Sequence, residues 1–148
     1  MPLGKPRMLT PSVEDYLERI YELIQEKGYA RVIDIASSLG IKSSSVTKMI
    51  KKLDEQEFLV YEKYRGLTLT QKGESIAQDV KSRHKKLEEF FGILGVENKT
   101  IQQDIEGLEH YLSPETLKCI HDFVGFVQQY PKWQSEFDKF RKTGKNAR

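Results

Sequence analysis

Six side chains able to hold a cation sit in three short clusters of this sequence. Asp15-x-x-Glu18 lies near the start, His84 stands mid-chain, and Glu106-x-x-Glu109-His110 follows. None is a thiol or thioether, so a cation held by them meets only oxygen and imidazole donors. Gathered at one partly buried place, four carboxylates and two imidazoles would repel one another unless cations neutralised them. Two divalent ions balance four negative charges, so a two-metal site with bridging carboxylates is a plausible chemistry if a helix bearing His84 packs between those bearing the two acidic clusters. Oxygen-rich, sulfur-free ligation suits manganese. Zn²⁺ should bind any such site more tightly, so selectivity has to come from coordination number and geometry.

Helices must bring these groups together. Thr10-Pro11 reads as a helix start, and Val13, Leu17, Ile20 and Ile24 repeat at helical spacing until Gly28. Asp15 and Glu18 flank that stripe and, taken alone, are most simply surface acids. A second helix covers about Val32–Leu39 and stops at Gly40. A third begins in Ser43-Ser44-Ser45 and carries Val46, Met49, Ile50 and Leu53 on one face. The period then changes: Leu59–Lys63 and Leu67–Thr70 are rich in strand formers and flank Tyr64-Arg65-Gly66, the pattern of a hairpin. Thr70 caps a long fourth helix, roughly Gln71 to Gly92, with Ile76, Ala77, Val80, Leu87 and Phe91 as its stripe. His84 falls inside that stripe, where an ordinary core histidine is the plainer alternative to a ligand.

A fifth helix, about Asn98 to Leu112, places Ile101, Ile105, Leu108 and Leu112 on one stripe. At about 100° per residue, Glu106, Glu109 and His110 share the neighbouring face. Ser113-Pro114 starts a sixth helix reaching about Tyr130, Pro131 breaks it, and Trp133, Phe137 and Phe140 point to a short final helix before a basic tail.

The segment from Val32 onward has the pattern of two helices packed across a tight turn, with Ile35, Leu39, Val46 and Met49 as shared core and small Ala36 at the close approach. A hairpin after such a pair makes a winged helix. Ser43, Ser44, Ser45, Thr47, Lys48, Lys51 and Lys52 would point outward, with Arg65 at the hairpin tip, as candidates for base and phosphate contacts. With few arginines here, sequence choice should lean on DNA shape and site spacing as well. Winged helices also serve as protein-interaction modules; the lysines on the exposed face favour DNA.

Composition sets the bounds. The chain has 148 residues and a formal net charge of +2, so bulk charge alone says nothing of nucleic acid. Residues 42–73 carry seven Lys/Arg against four Asp/Glu, a net of +3, whereas residues 88–122 carry two against eight, a net of −6. The first stretch could face phosphates and the second hold cations, although either bias also describes a solvated helix face. Cys119 is the only cysteine, which excludes an intrachain disulfide and cysteine-based zinc motifs and fits a cytoplasmic protein. The longest apolar run, Phe90 to Val96, is far too short to span a bilayer, and Met1–Thr10 lacks the apolar core of a secretory signal. The expected fold is therefore mainly α, an N-terminal winged helix-turn-helix followed by an all-helical dimerisation domain. The DNA-binding domain is expected over residues 1–72, with 1–9 disordered. The metal-binding and dimerisation domain follows over 73–148, with 143–148 a frayed tail.

At these residues the chain resembles the manganese transport regulator branch of the diphtheria-toxin-repressor family of metal-dependent transcription repressors. The likeness runs from about Pro11 to Tyr130. It is most specific at Pro11–Glu18, Ser45–Met49, Tyr61–Leu67 and Asp104–His110. It implies that Asp15, Glu18, His84, Glu106, Glu109 and His110 are the ligands of a binuclear Mn²⁺ site, two ions per subunit, with Zn²⁺, Co²⁺ or Cd²⁺ substituting in vitro. In iron-responsive relatives a methionine and a cysteine take the places of Asp15 and Glu106. The resemblance further implies a homodimer formed through the C-terminal helices, double-stranded operator DNA as partner, and manganese uptake genes as targets, with no membrane or small-molecule substrate. Phe123, Val124, Phe126 and Val127 are interface candidates, with core packing an equal contender, and His121 is structural or surface. No segment resembles the SH3-like third domain of longer relatives, so nothing of that domain carries over.

Two rivals stay open. Glu109-His110 has a likeness to metal-hydrolase helices, but those need a second histidine at helical spacing, and residue 107 is glycine where a di-iron motif needs an acid. No nucleophile elbow or phosphate loop accompanies it, so an enzyme is not expected. The other rival is a winged-helix repressor with no metal, its acids solvated and His84 in the core.

Overall fold

The computed structural model describes residues 9–144, which form seven helices and one two-stranded sheet. The elements are α1 (Pro11–Lys27), α2 (Val32–Leu39), α3 (Ser43–Glu55), β1 (Leu59–Glu62), β2 (Gly66–Leu69), α4 (Gln71–Leu94), α5 (Asn98–Leu108), α6 (Pro114–Gln129) and α7 (Pro131–Gly144). The chain divides between Lys81 and Ser82, within α4, into two compact units. Most of the loose ends expected from the sequence, residues 1–8 and 145–148, lie outside the described residues; Thr143 and Gly144 close α7.

In the first unit local chemistry fixes the ends of α1. The Thr10 hydroxyl accepts from Val13 N, Pro11 opens the helix, and Gly28 closes it in a left-handed conformation while donating to Ile24 O at 2.8 Å. One face of α1 buries Leu17 and Ile20 completely. Each such side chain contributes roughly 1.5–3 kcal/mol of transfer free energy. They pack with Ile35 and Ala36 of α2, with Val46, Ile50 and Leu53 of α3, and with Leu59 and Leu67 of the sheet. Met49 and Leu39 are only partly buried, so Ile50 and Leu53 hold the helix pair more than the expected Met49 does. Between α2 and α3 the chain turns at Gly40, whose φ of 66° favours a residue without Cβ.

β1 and β2 pair antiparallel from Leu59↔Leu69 to Glu62↔Gly66, with Ala30 bridging to Leu67 at the outer side. The hairpin leads straight into α4. Thr70 Oγ1 accepts from Gly73 N at 3.2 Å and donates to Glu57 O at 2.6 Å, so one hydroxyl caps the helix and anchors the turn before the sheet. Gly73 is obligatory for a different reason: a Cβ there would stand 1.9 Å from Phe58 O. The first turn of α4 thus rests directly on the backbone entering the wing.

In the second unit Leu87 of α4 packs with Ile101 and Ile105 of α5, and Phe91, Val96, Leu112 and Ile120 close around them. Ser113 caps α6 through Thr116 N. α7 is tied to the end of α4 by polar contacts: Gln134 donates to Ile93 O at 3.1 Å and Arg141 to Leu94 O at 2.6 Å. Running over Pro131–Gly144, it is longer than the short final helix expected. Of the four apolar residues considered for an interface, Val124 and Val127 are buried, whereas Phe123 and Phe126 are exposed. Phe126 stacks in a tilted ladder with Tyr130 and Trp133, centroids 5.3 and 5.9 Å away.

Candidate metal centre and nucleic-acid interface

The fifth helix ends earlier than the apolar period predicts. α5 stops at Leu108, Glu109 is its C-cap, and His110 lies in the following turn. Of the three residues expected on one face, Glu106 and Glu109 keep helical hydrogen bonding and only His110 lies past the helix cap. Glu106 is exposed, whereas Glu109, still helical in backbone and donating to Ile105 O at 3.0 Å, and His110 are buried to 4% and 3% exposure. Leu108, expected in the buried stripe, is exposed at the end of α5. Arg83 of α4 donates to Glu109 O at 3.0 Å and holds this turn against the helix.

His84 is not an ordinary core histidine. Its side chain is partly exposed and every polar atom of the ring has a polar neighbour. Nδ1 lies 3.0 Å from Glu109 Oε2, and Nε2 lies 2.6 Å from Glu88 Oε1 and 3.1 Å from Gln102 Oε1. His110 Nε2 is 3.5 Å from the other Glu109 oxygen. Burial works to lower the His84 pKa, but the hydrogen bond and charge of Glu109, joined by Glu88 and Gln102, outweigh it and the imidazole is raised above its ordinary value. The second unit thus brings together His84, Glu109 and His110, a buried carboxylate flanked by two imidazoles. Nitrogen and carboxylate donors without sulfur suit a borderline or hard divalent cation, so the residues present fit such a group. Asp15 and Glu18 lie one turn apart on α1 of the first unit, both partly buried.

Glu88 and Gln102 escaped the sequence reading. The signal for Glu88 was its place four residues after His84, one turn along the same helix; for Gln102 there was none beyond its position on α5.

In the first unit the outward residues of α3 lie where expected: Ser43, Ser44, Ser45, Lys48, Lys51 and Lys52 are all exposed. Thr47 is half-buried, and its hydroxyl donates to Ser43 O at 3.0 Å, so it is less available than its neighbours. Arg65 is exposed on the hairpin and lies 3.6 Å from Glu62. Beside it Tyr64, not singled out by sequence, is 95% exposed at the wing tip with a φ of 78°. A left-handed aromatic residue held out in solvent is uncommon. Together α3 and the wing offer a basic face able to lie along phosphates and reach base edges. Among the described residues no helix is long and apolar enough to cross a membrane.

Comparison with known proteins agrees with both halves. Residues 8–67 match the iron dependent repressor, N-terminal DNA binding domain, and residues 70–138 match the iron dependent repressor, metal binding and dimerisation domain. The HTH-type transcriptional regulator MntR of Bacillus velezensis is 49% identical over 139 residues, covering 94% of this chain and 98% of its own. The regulator of the same name from Geobacillus thermodenitrificans is 55% identical over 122 residues, covering 82% of this chain and 86% of its own. Among solved structures, the metal-dependent transcriptional regulator MtsR superposes with a TM-score of 0.73 at 28% identity and the manganese regulator SloR with 0.69 at 29%; each alignment covers 80% of this chain. The chain spans about 55% of the length of those two solved chains. These relatives are transcriptional regulators, not enzymes. The chain therefore belongs to the iron dependent repressor family, in its MntR branch, and is a metal-dependent transcriptional repressor of that type.

Proposed function

We propose that this repressor is activated by Mn²⁺, binds operator DNA as a homodimer in the cytoplasm, and controls manganese uptake genes. The observation that carries the proposal is the buried Glu109 carboxylate with the imidazoles of His84 and His110 at hydrogen-bonding or ion-pairing distance. The names of the relatives support manganese as the metal, and the absence of any sulfur donor from the proposed set agrees with it. The full ligand set is Asp15, Glu18, His84, Glu106, Glu109 and His110, taking two ions per subunit; Zn²⁺, Co²⁺ or Cd²⁺ substitute in vitro. The functional boundary lies between residues 72 and 73.

Bound divalent ions supply the positive charge that lets these carboxylates lie together. Asp15 and Glu18 then fasten the DNA-binding half to His84, Glu106, Glu109 and His110 of the dimerisation half. Fastened so, the two recognition helices of a dimer keep one separation, near ~34 Å or a multiple, as successive major grooves require. Ser43, Ser44, Ser45, Thr47 and the lysines of α3 read and neutralise the groove, and Arg65 of the wing contacts the neighbouring backbone. Ligand at ~100 times its dissociation constant contributes about 2.7 kcal/mol to the state that binds it, roughly a hundredfold in operator affinity. Asp15 and Glu106 set the choice of metal, since Asp15→Met or Glu106→Cys introduces the sulfur donors that favour softer ions.

The experiment is to titrate Mn²⁺ into metal-free protein while following binding to a palindromic operator. Operator affinity rising about a hundredfold with Mn²⁺ supports the proposal; affinity indifferent to metal favours a metal-free winged-helix repressor.

A further inference from the structure

The two ring nitrogens of His84 face different surroundings. Nδ1 points at Glu109 Oε2, 3.0 Å away. Nε2 points at two acceptor oxygens at once, Glu88 Oε1 at 2.6 Å and Gln102 Oε1 at 3.1 Å. Gln102 uses its amide nitrogen to donate to Glu88 at 3.1 Å and to Asn98 Oδ1 at 3.3 Å. Those two donations orient the amide with its oxygen toward the ring, so only a hydrogen on Nε2 satisfies the arrangement. Glu88 comes from α4 and Gln102 from α5, so the ring cannot turn over without losing partners on both helices. A ring nitrogen fixed as a donor leaves the other as the one able to bind a cation.

We propose that Glu88 and Gln102, with Asn98 behind them, are positioning residues that grip His84 by its Nε2–H and so present Nδ1 to the divalent cation. This rests on the ligand reading above. Neither residue touches the cation; both fix which face of the imidazole it meets. Glu88 matters as a hydrogen-bond acceptor, and its charge is secondary.

The test uses the full chain and Mn²⁺ as probe, with uptake followed by loss of the electron paramagnetic resonance signal of free Mn²⁺. ¹⁵N-labelled protein loaded with Cd²⁺ reports which His84 nitrogen carries the metal. Glu88→Ala and Gln102→Ala should each weaken Mn²⁺ binding, by about 10- to 100-fold. In the double variant both ring nitrogens should be populated as donors. Glu88→Gln keeps the acceptor oxygen and should bind near the unaltered level. Unfolding midpoints without metal check that each variant folds, and Gln102→Ala decides the matter if Glu88→Ala does not. Equal losses in Glu88→Gln and Glu88→Ala would overturn the proposal by making Glu88 a charge donor to the metal. Unchanged Mn²⁺ affinity and exclusive Nδ1 ligation in the double variant would overturn it while leaving the ligand reading intact. If the unaltered chain takes up no Mn²⁺, the ligand reading fails and this proposal with it.

Discussion

The recognition surface of α3 and the wing differs in kind from the imidazole–carboxylate cluster of the second unit. On α3, Lys48, Lys51 and Lys52 stand in solvent and can act through their summed field, so each contributes a share that its neighbours partly replace. In the cluster, His84 is held from three sides, and Glu109 is fixed through its side chain by His84 and through its carbonyl by Arg83. A surface of the first kind weakens by degrees when residues are lost. A site of the second kind depends on geometry and should fail abruptly.

The largest expected effect is therefore at His84. His84→Ala should remove the whole Mn²⁺-dependent gain in operator affinity, about a hundredfold or ~2.7 kcal/mol, while the chain still folds. Circular dichroism alongside an operator-binding assay checks both. If the variant merely unfolds, His84 serves packing and the contrast disappears.

Next comes Gly73, which tests the scaffold beneath the recognition surface. Gly73→Ala forces a methyl group against Phe58 O and should cost roughly 1–3 kcal/mol in denaturant unfolding. An unchanged midpoint would show that the wing and α4 separate easily.

Acidity sharpens the contrast further. The raised pKa of His84 means that its charged pairing with Glu109 stabilises the metal-free protein fully below the unfolded-state pKa. That contribution is lost as pH rises through the folded-state value. A cation competes with the same proton, so Mn²⁺ affinity should climb by up to about tenfold per pH unit below the folded-state pKa and level off above it. Calorimetric titration across this window checks the slope; flat affinity would exclude the His84 imidazole from the site.

The smallest effect belongs to single lysines. Lys51→Ala should weaken binding to all DNA sequences alike, lower the salt-dependence slope by about 1, and leave the fold gain from Mn²⁺ untouched. Filter binding over a salt series measures it.

Much of this was legible in the sequence, for reasons that particular residues make plain. Thr10, Gly28, Gly40 and Ser113 mark helix ends chemically, and the change from helical spacing to the Leu59–Leu69 pattern marks the wing. The end of α5 was not legible, because Leu108 and Leu112 prolong the apolar period past the point where the backbone leaves the helix. Gly107, a poor helix former, was the available hint. The deep burial of Glu109 and His110 was likewise not legible, because it depends on what packs over the end of α5. Glu88 carries only its spacing of one turn from His84 and Gln102 no mark at all, since their role exists only where α4 and α5 meet around His84. The ligand set as a whole was suggested by residue types and carried by family likeness, because spacing along the chain cannot show which helices converge.

The central claim is that metal and operator strengthen each other through Asp15 and its partners on the other half of the chain. The most direct measurement is Mn²⁺ affinity with and without saturating operator, for the unaltered protein and for Asp15→Ala. Linkage requires operator to tighten the combined binding of the dimer's ions by the same factor that Mn²⁺ tightens operator. That factor is about a hundredfold in total, or roughly threefold per ion if four ions share it, and the variant should lose that coupling. Equal Mn²⁺ affinity in the presence and absence of DNA would contradict the account.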